Sequence, residues 1–423
     1  MKRSGPTLLA MATLVALSPT SVSASDLPPW RDVDDMPLPD PAGSVVIQRG
    51  EQSILAEPTA TSTRRGTAKT GAGLPWFGAK RGSGCAARWI NVGPLAWICQ
   101  DALAFDPRPP LDARAAMEPL AAGGLPFRYY FVGQAGSNGY LRLEDAEDVA
   151  PDHDFEPGFA IAAVDEGAKQ NARYVRTHHG LWVPLRDLTP VTPFEFRGEE
   201  LKDGKVDFAW VVEDRAVVYA APGGAPIKSE PPRRRFEKIA ILEEKPTKGE
   251  SYLRVGEKRW LRARDVRRPV LAPAPASTRA GERWIDVDLA TQTLVAWEGE
   301  TPVFATLVST GKGREGTDSA TPKGEFRIWV KLASSNMDNL EDEDAARYYA
   351  IEDVPYVQYF AKGVGLHGAF WHRAFGHERS HGCINLAPLD AQRLFAFTSP
   401  HLPAGWTAAL PTSVEVGTLV RVR

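Results

Sequence analysis

The stretch Leu366-His-Gly-Ala-Phe-Trp-His-Arg-Ala-Phe-Gly-His-Glu-Arg-Ser-His-Gly-Cys-Ile-Asn-Leu386 joins one cysteine to glycines and several histidines. The chain of 423 residues has only three cysteines, and Cys383 lies between Gly382 and the apolar Ile384. A glycine beside a thiol lets a substrate approach the backbone closely. Cysteine is also the strongest side-chain nucleophile once a base helps to remove its proton. The stretch therefore predicts a nucleophile site.

These residues resemble the signature of the YkuD-type L,D-transpeptidase catalytic domain, His-Gly followed by Ser/Thr-His-Gly-Cys-apolar-Asn. The matching residues here are His367-Gly368 and Ser380–Asn385. A further family-like element, Thr321-Pro-Lys-Gly-Glu-Phe326, follows two strand-like segments, Trp284–Leu289 and Leu294–Trp297. The resemblance covers roughly residues 281–423 and implies a β-sandwich-like catalytic domain.

The resemblance selects His367 as the base, with the carbonyl of Gly368 orienting its imidazole. A thiol with an ordinary pKa of about 8.5 needs such a base or a nearby positive charge. His381 would face the same side as Cys383 on a strand, and it is the second choice for the base. The backbone N–H groups of Gly382 and Cys383 are candidate oxyanion donors, because Gly382 leaves room for a tetrahedral intermediate.

Ser380, Arg379 and Asn385 are predicted to fix the loop or to bind a substrate carboxylate. Arginine pairs with carboxylates through two parallel hydrogen bonds, although a solvated surface arginine is an equally ordinary role for Arg379. His372 and His377 add two imidazoles, but no cysteine or carboxylate cluster has zinc spacing. We therefore expect no metal and no cofactor.

The charge balance gives no sign of a nucleic-acid partner. The chain has 50 basic and 53 acidic residues, for a formal net charge of −3, whereas nucleic-acid-binding domains are usually basic. The one basic run, Arg233-Arg-Arg235, is predicted to be a solvated surface turn.

The N-terminus has the composition of a signal peptide over residues 1–24: basic Lys2 and Arg3, the apolar segment Leu8–Leu17, then small residues up to Ala24. Export to the periplasm or cell wall is therefore expected. The apolar segment is shorter than the about 20 residues that span a bilayer. No later segment is long enough either, so no transmembrane segment is predicted.

Export would place the cysteines in an oxidising compartment. Cys85 and Cys99 flank one strand-rich segment and are the candidate disulfide, which would leave Cys383 as the odd thiol.

An internal repeat precedes the catalytic segment. Tyr174 to Trp182 and Tyr252 to Trp260 share one eight-residue step, 78 residues apart, and a degenerate copy runs from Trp89 to Trp97. Short alternating apolar segments broken by Gly, Pro and Asp favour small β-barrels, and the pattern resembles bacterial SH3-like modules. We expect a hairpin whose aromatic residues fill the barrel, with His178-His179 exposed at its turn.

The predicted fold is mainly β, with about three small SH3-like β-barrel modules before the catalytic domain. The predicted segments are a flexible leader (25–42), a degenerate first module (43–110), a second module (111–195), a third module (196–268), a Pro/Ala linker (269–280) and the catalytic domain (281–423).

The segment Leu332–Asp344 is rich in acidic residues and is followed by several aromatic residues up to Phe360. Two interpretations stay open for it: a loop or lid over the cleft with the aromatic residues packed beneath, or a plain solvated acidic loop.

The resemblance implies an enzyme that acts on peptidoglycan peptide stems through a thioester on Cys383 and forms 3→3 crosslinks. Water as the acceptor would give an L,D-carboxypeptidase, and a protein acceptor would give attachment to the wall. The family association also implies carbapenem β-lactams as covalent inhibitors. From another class, a wall-binding scaffold with an inert catalytic domain is the alternative, and the intact His367 and Cys383 argue against it.

Overall fold

A computed structural model describes residues 43–111, 122–192, 194–340 and 349–423. The predicted signal peptide (1–24) and the whole predicted leader (25–42) lie outside these residues. Strands dominate the described ranges, which confirms the mainly β prediction, and one α-helix is found among them. No helix in the described part of the chain is long and apolar enough to cross a membrane.

The first module contains eight strands, most of them short and buried on at least one face. They are β1 (Ser44–Ile47), β2 (Glu51–Leu55), β3 (Arg64–Lys69), β4 (Gly73–Leu74), β5 (Gly78–Lys80), β6 (Trp89–Gly93), β7 (Ala96–Cys99) and β8 (Leu103–Asp106). A disulfide joins Cys85 to Cys99, with their Cα atoms 5.5 Å apart.

The second module contains seven strands: β9 (Arg128–Val132), β10 (Ser137–Gly139), β11 (His153–Phe155), β12 (Ala160–Lys169), β13 (Ala172–Thr177), β14 (Trp182–Pro184) and β15 (Leu188–Pro190). The third module contains nine: β16 (Glu199–Glu200), β17 (Phe208–Val211), β18 (Arg215–Ala216), β19 (Arg233–Arg234), β20 (Lys238–Ala240), β21 (Glu243–Thr247), β22 (Glu250–Gly256), β23 (Arg259–Arg262) and β24 (Val266–Arg267).

The repeat seen in the sequence has one structural form in all three modules. Each copy is a hairpin that leads into a three-residue 3₁₀ turn, and the cross-strand partners are the same: Trp89 with Cys99, Tyr174 with Pro184, Tyr252 with Arg262. Trp182 and Trp260 pack in small aromatic clusters beside the main module cores. The hairpin is thus as expected, but these aromatic residues do not fill the barrel centre. The SH3-like character stays a prediction.

The catalytic domain contains ten strands and the helix: β25 (Arg283–Asp288), β26 (Thr293–Glu298), β27 (Thr301–Leu307), β28 (Gly324–Arg327), β29 (Val330–Asp338), β30 (Ala350–Ala361), β31 (Val364–Gly368), β32 (Ile384–Leu386), α1 (Pro388–Phe397), β33 (Trp406–Ala409) and β34 (Leu419–Val422). One sheet has the order β27-β26-β25-β34-β28, and the other has the order β33-β29-β30-β31-β32.

The core of this domain lies between the two sheets and beneath α1. Side chains of β25, such as Ile285 and Val287, meet Leu366 of β31, Ile384 of β32 and Leu394 of α1, and all five are fully buried. Proline at the first helical position starts α1, because its fixed φ suits a helix and its missing N–H would have no partner there.

Each module adds one strand to a sheet of the catalytic domain. In the first module β3 pairs with β33, in the second β12 pairs with β30 in parallel, and in the third β16 pairs with β27. Shared hydrophobic clusters cover each junction, including Trp406 at the first and Val354 at the second. The modules are therefore packed parts of the same structure as the site.

Candidate active site

The candidate site is a cleft of about 740 Å³ in the catalytic domain. Most of the predicted site residues line it together: His367, Arg379, Ser380, His381, Cys383 and Asn385. Gly368 and Gly382 are the backbone neighbours of this set.

Two adjacent parallel strands bring the base and the nucleophile into the same cleft. Leu366 of β31 pairs with Ile384 of β32, and His367 pairs with Asn385. Cys383 directly precedes β32, so it stands beside the strand that carries His367. Gly382 has φ +123°, a conformation that L side chains rarely adopt. The glycine before the cysteine is thus required by the backbone.

Cys383 is a free thiol among the described residues. Its Sγ donates to the carbonyl of Gly363 at 3.7 Å. Burial raises the pKa of the Cys383 thiol, and a hydrogen bond from the Gly365 backbone opposes part of that rise. The resting cysteine is therefore protonated at neutral pH, and a base is needed to activate it.

His367 has the geometry of such a base. It is 2% exposed, and its Nδ1–H donates to the carbonyl of Gly368 at 3.2 Å. Burial lowers the pKa of His367 to about 4, so the imidazole is neutral at pH 7. With the proton on Nδ1, the Nε2 lone pair is free to accept a proton. The ring of Trp371 stacks on the His367 imidazole, with ring centres 5.7 Å apart, and restricts the orientation of the imidazole.

Two hydroxyl groups hold the loop before the nucleophile. Ser380 Oγ donates to the carbonyl of Cys383 and accepts the N–H of Gly382 at 3.2 Å. Thr321 Oγ1 donates to the carbonyl of Gly382 at 2.7 Å and accepts the N–H of Gly311 at 2.8 Å. Because Ser380 occupies the Gly382 N–H, the Cys383 N–H is the remaining candidate oxyanion donor. The sequence motif contained Thr321, but its role was not predicted.

Asn385 and His372 hold each other inside the site. His372 Nδ1 accepts the N–H of Ala374 at 3.1 Å, so its proton lies on Nε2. That nitrogen is 2.8 Å from the side-chain amide of Asn385. The amide atom at this distance is Nδ2, and two N–H groups cannot bond to each other, so we assign the amide in the flipped orientation, with Oδ1 accepting the Nε2–H of His372. Burial lowers the pKa of His372 to about 3, consistent with a neutral structural imidazole.

His381 and Arg379 are the exposed members of the set. The ring of His381 stacks on Tyr349 at 6.1 Å. The guanidinium of Arg379 has no carboxylate partner among the described residues, so it is available to a ligand. Both positions fit contacts with substrate better than roles in holding the loop.

Residues outside the sequence motif complete the walls. Phe131 and Gly158 come from the second module, and Asn336, Met337 and Asp338 come from β29. Leu332–Asp344 was predicted to be a loop, either a lid over the cleft or a plain solvated acidic loop, and both interpretations are wrong for its first part, because residues 332–338 form a strand paired with β30. Alternating polar residues obscured this strand in the sequence. Residues 341–344 lie outside the described part of the chain.

One histidine cluster has ligand atoms close enough for a metal ion. His178, His179 and Asp353 have ligand atoms within 4.8 Å of one another. The ammonium of Lys69 donates to Nε2 of His178, which leaves the Nδ1–H to donate to Asp353 at 2.9 Å. These groups form a hydrogen-bonded junction of three domains. The expectation that the two histidines are exposed turn residues is wrong for His178, which is half-buried there.

Fold and site together define a β-sandwich domain with a cysteine and a buried neutral histidine in one cleft. The family model of the L,D-transpeptidase catalytic domain, YkuD, matches residues 282–422, about a third of the chain. This match confirms for that segment the family resemblance drawn from the sequence. A comparison with curated proteins found no match.

Several solved structures resemble part of the chain. A mutant of the Enterococcus faecium L,D-transpeptidase is 23% identical over 34% of this chain and 50% of its own, with a TM-score of 0.26. The catalytic domain from E. faecium L,D-transpeptidase is 26% identical over 34% of this chain and 100% of its own, with a TM-score of 0.26. L,D-transpeptidase 3 from Mycobacterium tuberculosis is 16% identical over 44% of this chain and 79% of its own, with a TM-score of 0.27. This chain spans half the length of the first of these.

Proposed function

We propose that this protein is an exported, cysteine-dependent L,D-transpeptidase that forms 3→3 crosslinks between peptidoglycan stems. The observation that carries the proposal is the pair of Cys383 and neutral His367 in one cleft, within the segment that matches the YkuD family model. Localisation in the periplasm or cell wall is part of the same proposal and rests on the signal-peptide composition of residues 1–24.

The first half-reaction forms a thioester. His367 Nε2 takes the thiol proton as Cys383 Sγ attacks the carbonyl of the L-centre of the diamino acid at stem position three. The tetrahedral oxyanion is stabilised by the Cys383 N–H. Collapse of this intermediate breaks the bond to the terminal D-alanine, whose amine receives the proton from His367.

The second half-reaction transfers the acyl group. The amine of a second stem attacks the thioester, loses its proton to His367, and forms the new amide while the thiol leaves and is reprotonated. Two half-reactions through one covalent intermediate are the general logic of nucleophilic catalysis. Water as the acceptor would give a carboxypeptidase, and a protein amine would give attachment to the wall.

The nucleophile is tested by incubating wall fragments with the purified protein and analysing the products by mass spectrometry. We expect crosslinked dimers from the wild type and none from Cys383→Ala or Cys383→Ser, because only the thiol forms the thioester. Trimmed monomers alone would indicate a carboxypeptidase, and binding without turnover would favour the scaffold alternative. Wild-type turnover by Cys383→Ala would refute the assignment.

Carbapenem treatment gives a second readout of the nucleophile. A strained amide should acylate the same thiol, and one adduct is expected at Cys383, since Cys85 and Cys99 are bonded to each other. The catalytic domain from E. faecium L,D-transpeptidase has been described acylated by ertapenem. An adduct that persists in Cys383→Ala would remove the case for this residue.

The base is tested by comparing two histidine variants. His367→Ala should lower the rate of acylation by roughly 10² to 10⁴, the usual contribution of a positioned base. His381→Ala should have the smaller effect, because His381 is exposed and stacks on Tyr349. Because the pKa of His367 is lowered to about 4, the acidic limb of the kcat/KM profile should lie near that pH. A much larger loss in His381→Ala would reverse the assignment of the base.

A further inference from the structure

A second groove, of about 990 Å³, adjoins the catalytic cleft. It lies between the third module and the loop 369–379, which connects His367 to Ser380. Trp371 and Arg379 line both the groove and the cleft, so the two are adjacent and meet at these side chains. A ligand bound in the cleft can therefore extend into the groove.

The groove has a strong positive charge. Five arginines line it, three from the third module and two from the loop: Arg215, Arg234, Arg235, Arg373 and Arg379. Asp214 is the one acidic residue in the lining, and it pairs with Arg235 at 2.8 Å. Within the described residues, the other four guanidinium groups have no carboxylate partner. The run Arg233-Arg-Arg235, predicted to be a solvated turn, thus gives two residues to a concave surface.

Two of the five arginines, Arg235 and Arg373, have contacts with the walls of the groove. Arg235 donates to the carbonyl of Arg373 at 3.0 Å, which joins the third module to the loop. The guanidinium of Arg373 lies 5.2 Å from the centre of the Phe194 ring. Phe236 and Trp371 give the groove further apolar surface. Cationic heads above apolar ring surface suit a peptide that carries carboxylates on an aliphatic backbone.

We propose that this groove binds the free carboxylates of a peptide stem whose reacting end lies at Cys383. The proposal rests on the proposed function for its substrate class, and it adds a binding site made largely by the third module. The position beside the cleft favours a peptide of the wall over a separate phosphate-bearing polymer. Arginine forms bidentate hydrogen bonds with a carboxylate, so each free carboxylate adds both affinity and orientation.

The test measures binding in the full chain carrying Cys383→Ala, which prevents turnover. The probes are a tetrapeptide stem with free carboxylates and the same stem with its internal carboxylates amidated, titrated calorimetrically. We expect amidation to weaken binding about tenfold, in line with the loss of a charge-assisted hydrogen bond. The double variant Arg234→Gln/Arg373→Gln should weaken binding of the free stem by a similar factor and reduce its salt dependence.

Two further variants separate charge from folding. Arg268→Gln removes an exposed arginine of the same module that does not line the groove, and it should bind the stem as the parent does. Arg234→Lys/Arg373→Lys keeps the charge and should retain part of the affinity. Equal affinity of the glutamine double variant and the parent would overturn the proposal. So would tight binding of polyphosphate with no preference for the free over the amidated stem.

The outcome is independent of the test of the proposed function. Carbapenem acylation of wild-type Cys383 measures the nucleophile without any need for the groove. A wild type that is not acylated would refute the proposed function, whereas normal acylation with stem binding insensitive to the arginine variants would refute the groove alone.

Discussion

The second and third modules carry the same repeat but hold the active-site loop 369–379 in different ways. Near its start, the ring of Phe370 packs against Tyr129 of the second module, with ring centres 4.0 Å apart. Further along, Phe375 is fully buried and packs in a cluster with Trp210 and Val212 of the third module. The loop thus lies between two modules that carry the same hairpin.

The two contacts differ in the part of the loop that they reach. The third module reaches the loop backbone itself: Arg267 Nε donates to the carbonyl of Gly376 at 2.9 Å. The second module contacts the loop through rings, and its Phe131 also lines the cleft. We infer that the third module fixes the loop, whereas the second module shapes the space for substrate.

The largest expected effect comes from Gly376→Ala. Gly376 has φ +92°, and a Cβ there would lie 2.3 Å from Cγ1 of Val212. Backbone strain and overpacking together should cost about 3–4 kcal/mol of unfolding free energy. Carbapenem acylation should fall as well, because the loop links His367 to Ser380. Urea denaturation and intact-protein mass spectrometry measure the two effects.

Gly180→Ala is the matched control for that variant. Gly180 lies in the second module with φ +91°, and nothing lies within 4 Å of its hypothetical Cβ. It should therefore show the backbone strain alone, about 1 kcal/mol, with normal acylation. Equal effects of the two substitutions would show that contact with the third module does not fix the loop.

The sequence predicted the reactive residues better than it predicted how the modules pack against the loop 369–379. Cys383, His367 and Gly382 are recognisable because they lie in one short stretch whose residue types are demanded by the reaction and by the backbone. The module partners of Phe370 and Gly376 lie more than 100 residues away in sequence, and a glycine or phenylalanine does not indicate which module it will meet. Hydrophobic periodicity likewise predicted hairpins, but it carried no information about how the modules dock.

The second comparison concerns two carboxyl groups, one at the junction of the second module with the catalytic domain and one at the junction of the third module. Glu352 accepts the N–H of Ala162 in the second module at 3.0 Å, and Asp390 accepts the N–H of Gly198 beside β16 at 2.8 Å. Burial raises the pKa of each carboxyl group to about 7. Both groups are therefore protonated in the folded protein at mildly acidic pH, where the unfolded chain has already ionised them.

These two carboxyl groups should consequently make a contribution to the free energy of unfolding that falls as pH rises from about 4.5 to 7. At these two groups the unfolded state binds fewer protons than the folded state in that window, so their ionisation favours unfolding. The buried imidazoles of His367 and His372, whose pKa values are lowered, contribute the opposite slope over this range, so the prediction concerns the difference between each carboxyl variant and the wild type.

Glu352→Gln and Asp390→Asn should each remove one such contribution, so each variant should gain stability relative to the wild type as pH rises from 4.5 to 8, by on the order of 2–3 kcal/mol at pH 8. Urea midpoints measured from pH 4.5 to 8 check this. A stability difference from the wild type that stays the same from pH 4.5 to 8 in both variants would exclude ionisation of these carboxyl groups as its cause.

The smallest expected effect concerns the wall contributed by the second module. Phe131→Ala removes apolar surface from the cleft, so the KM for a peptide stem should rise about threefold to tenfold while kcat changes little. Losing part of a ring contact is worth about 1 kcal/mol of binding.

Phe155→Ala is the control, because Phe155 is buried in the core of the same module and does not line the cleft. It should lower the unfolding free energy by about 3 kcal/mol and leave KM unchanged. If instead Phe131→Ala lowered kcat and spared KM, the second module would act on the loop as the third does, and the division of roles between the two modules would fail.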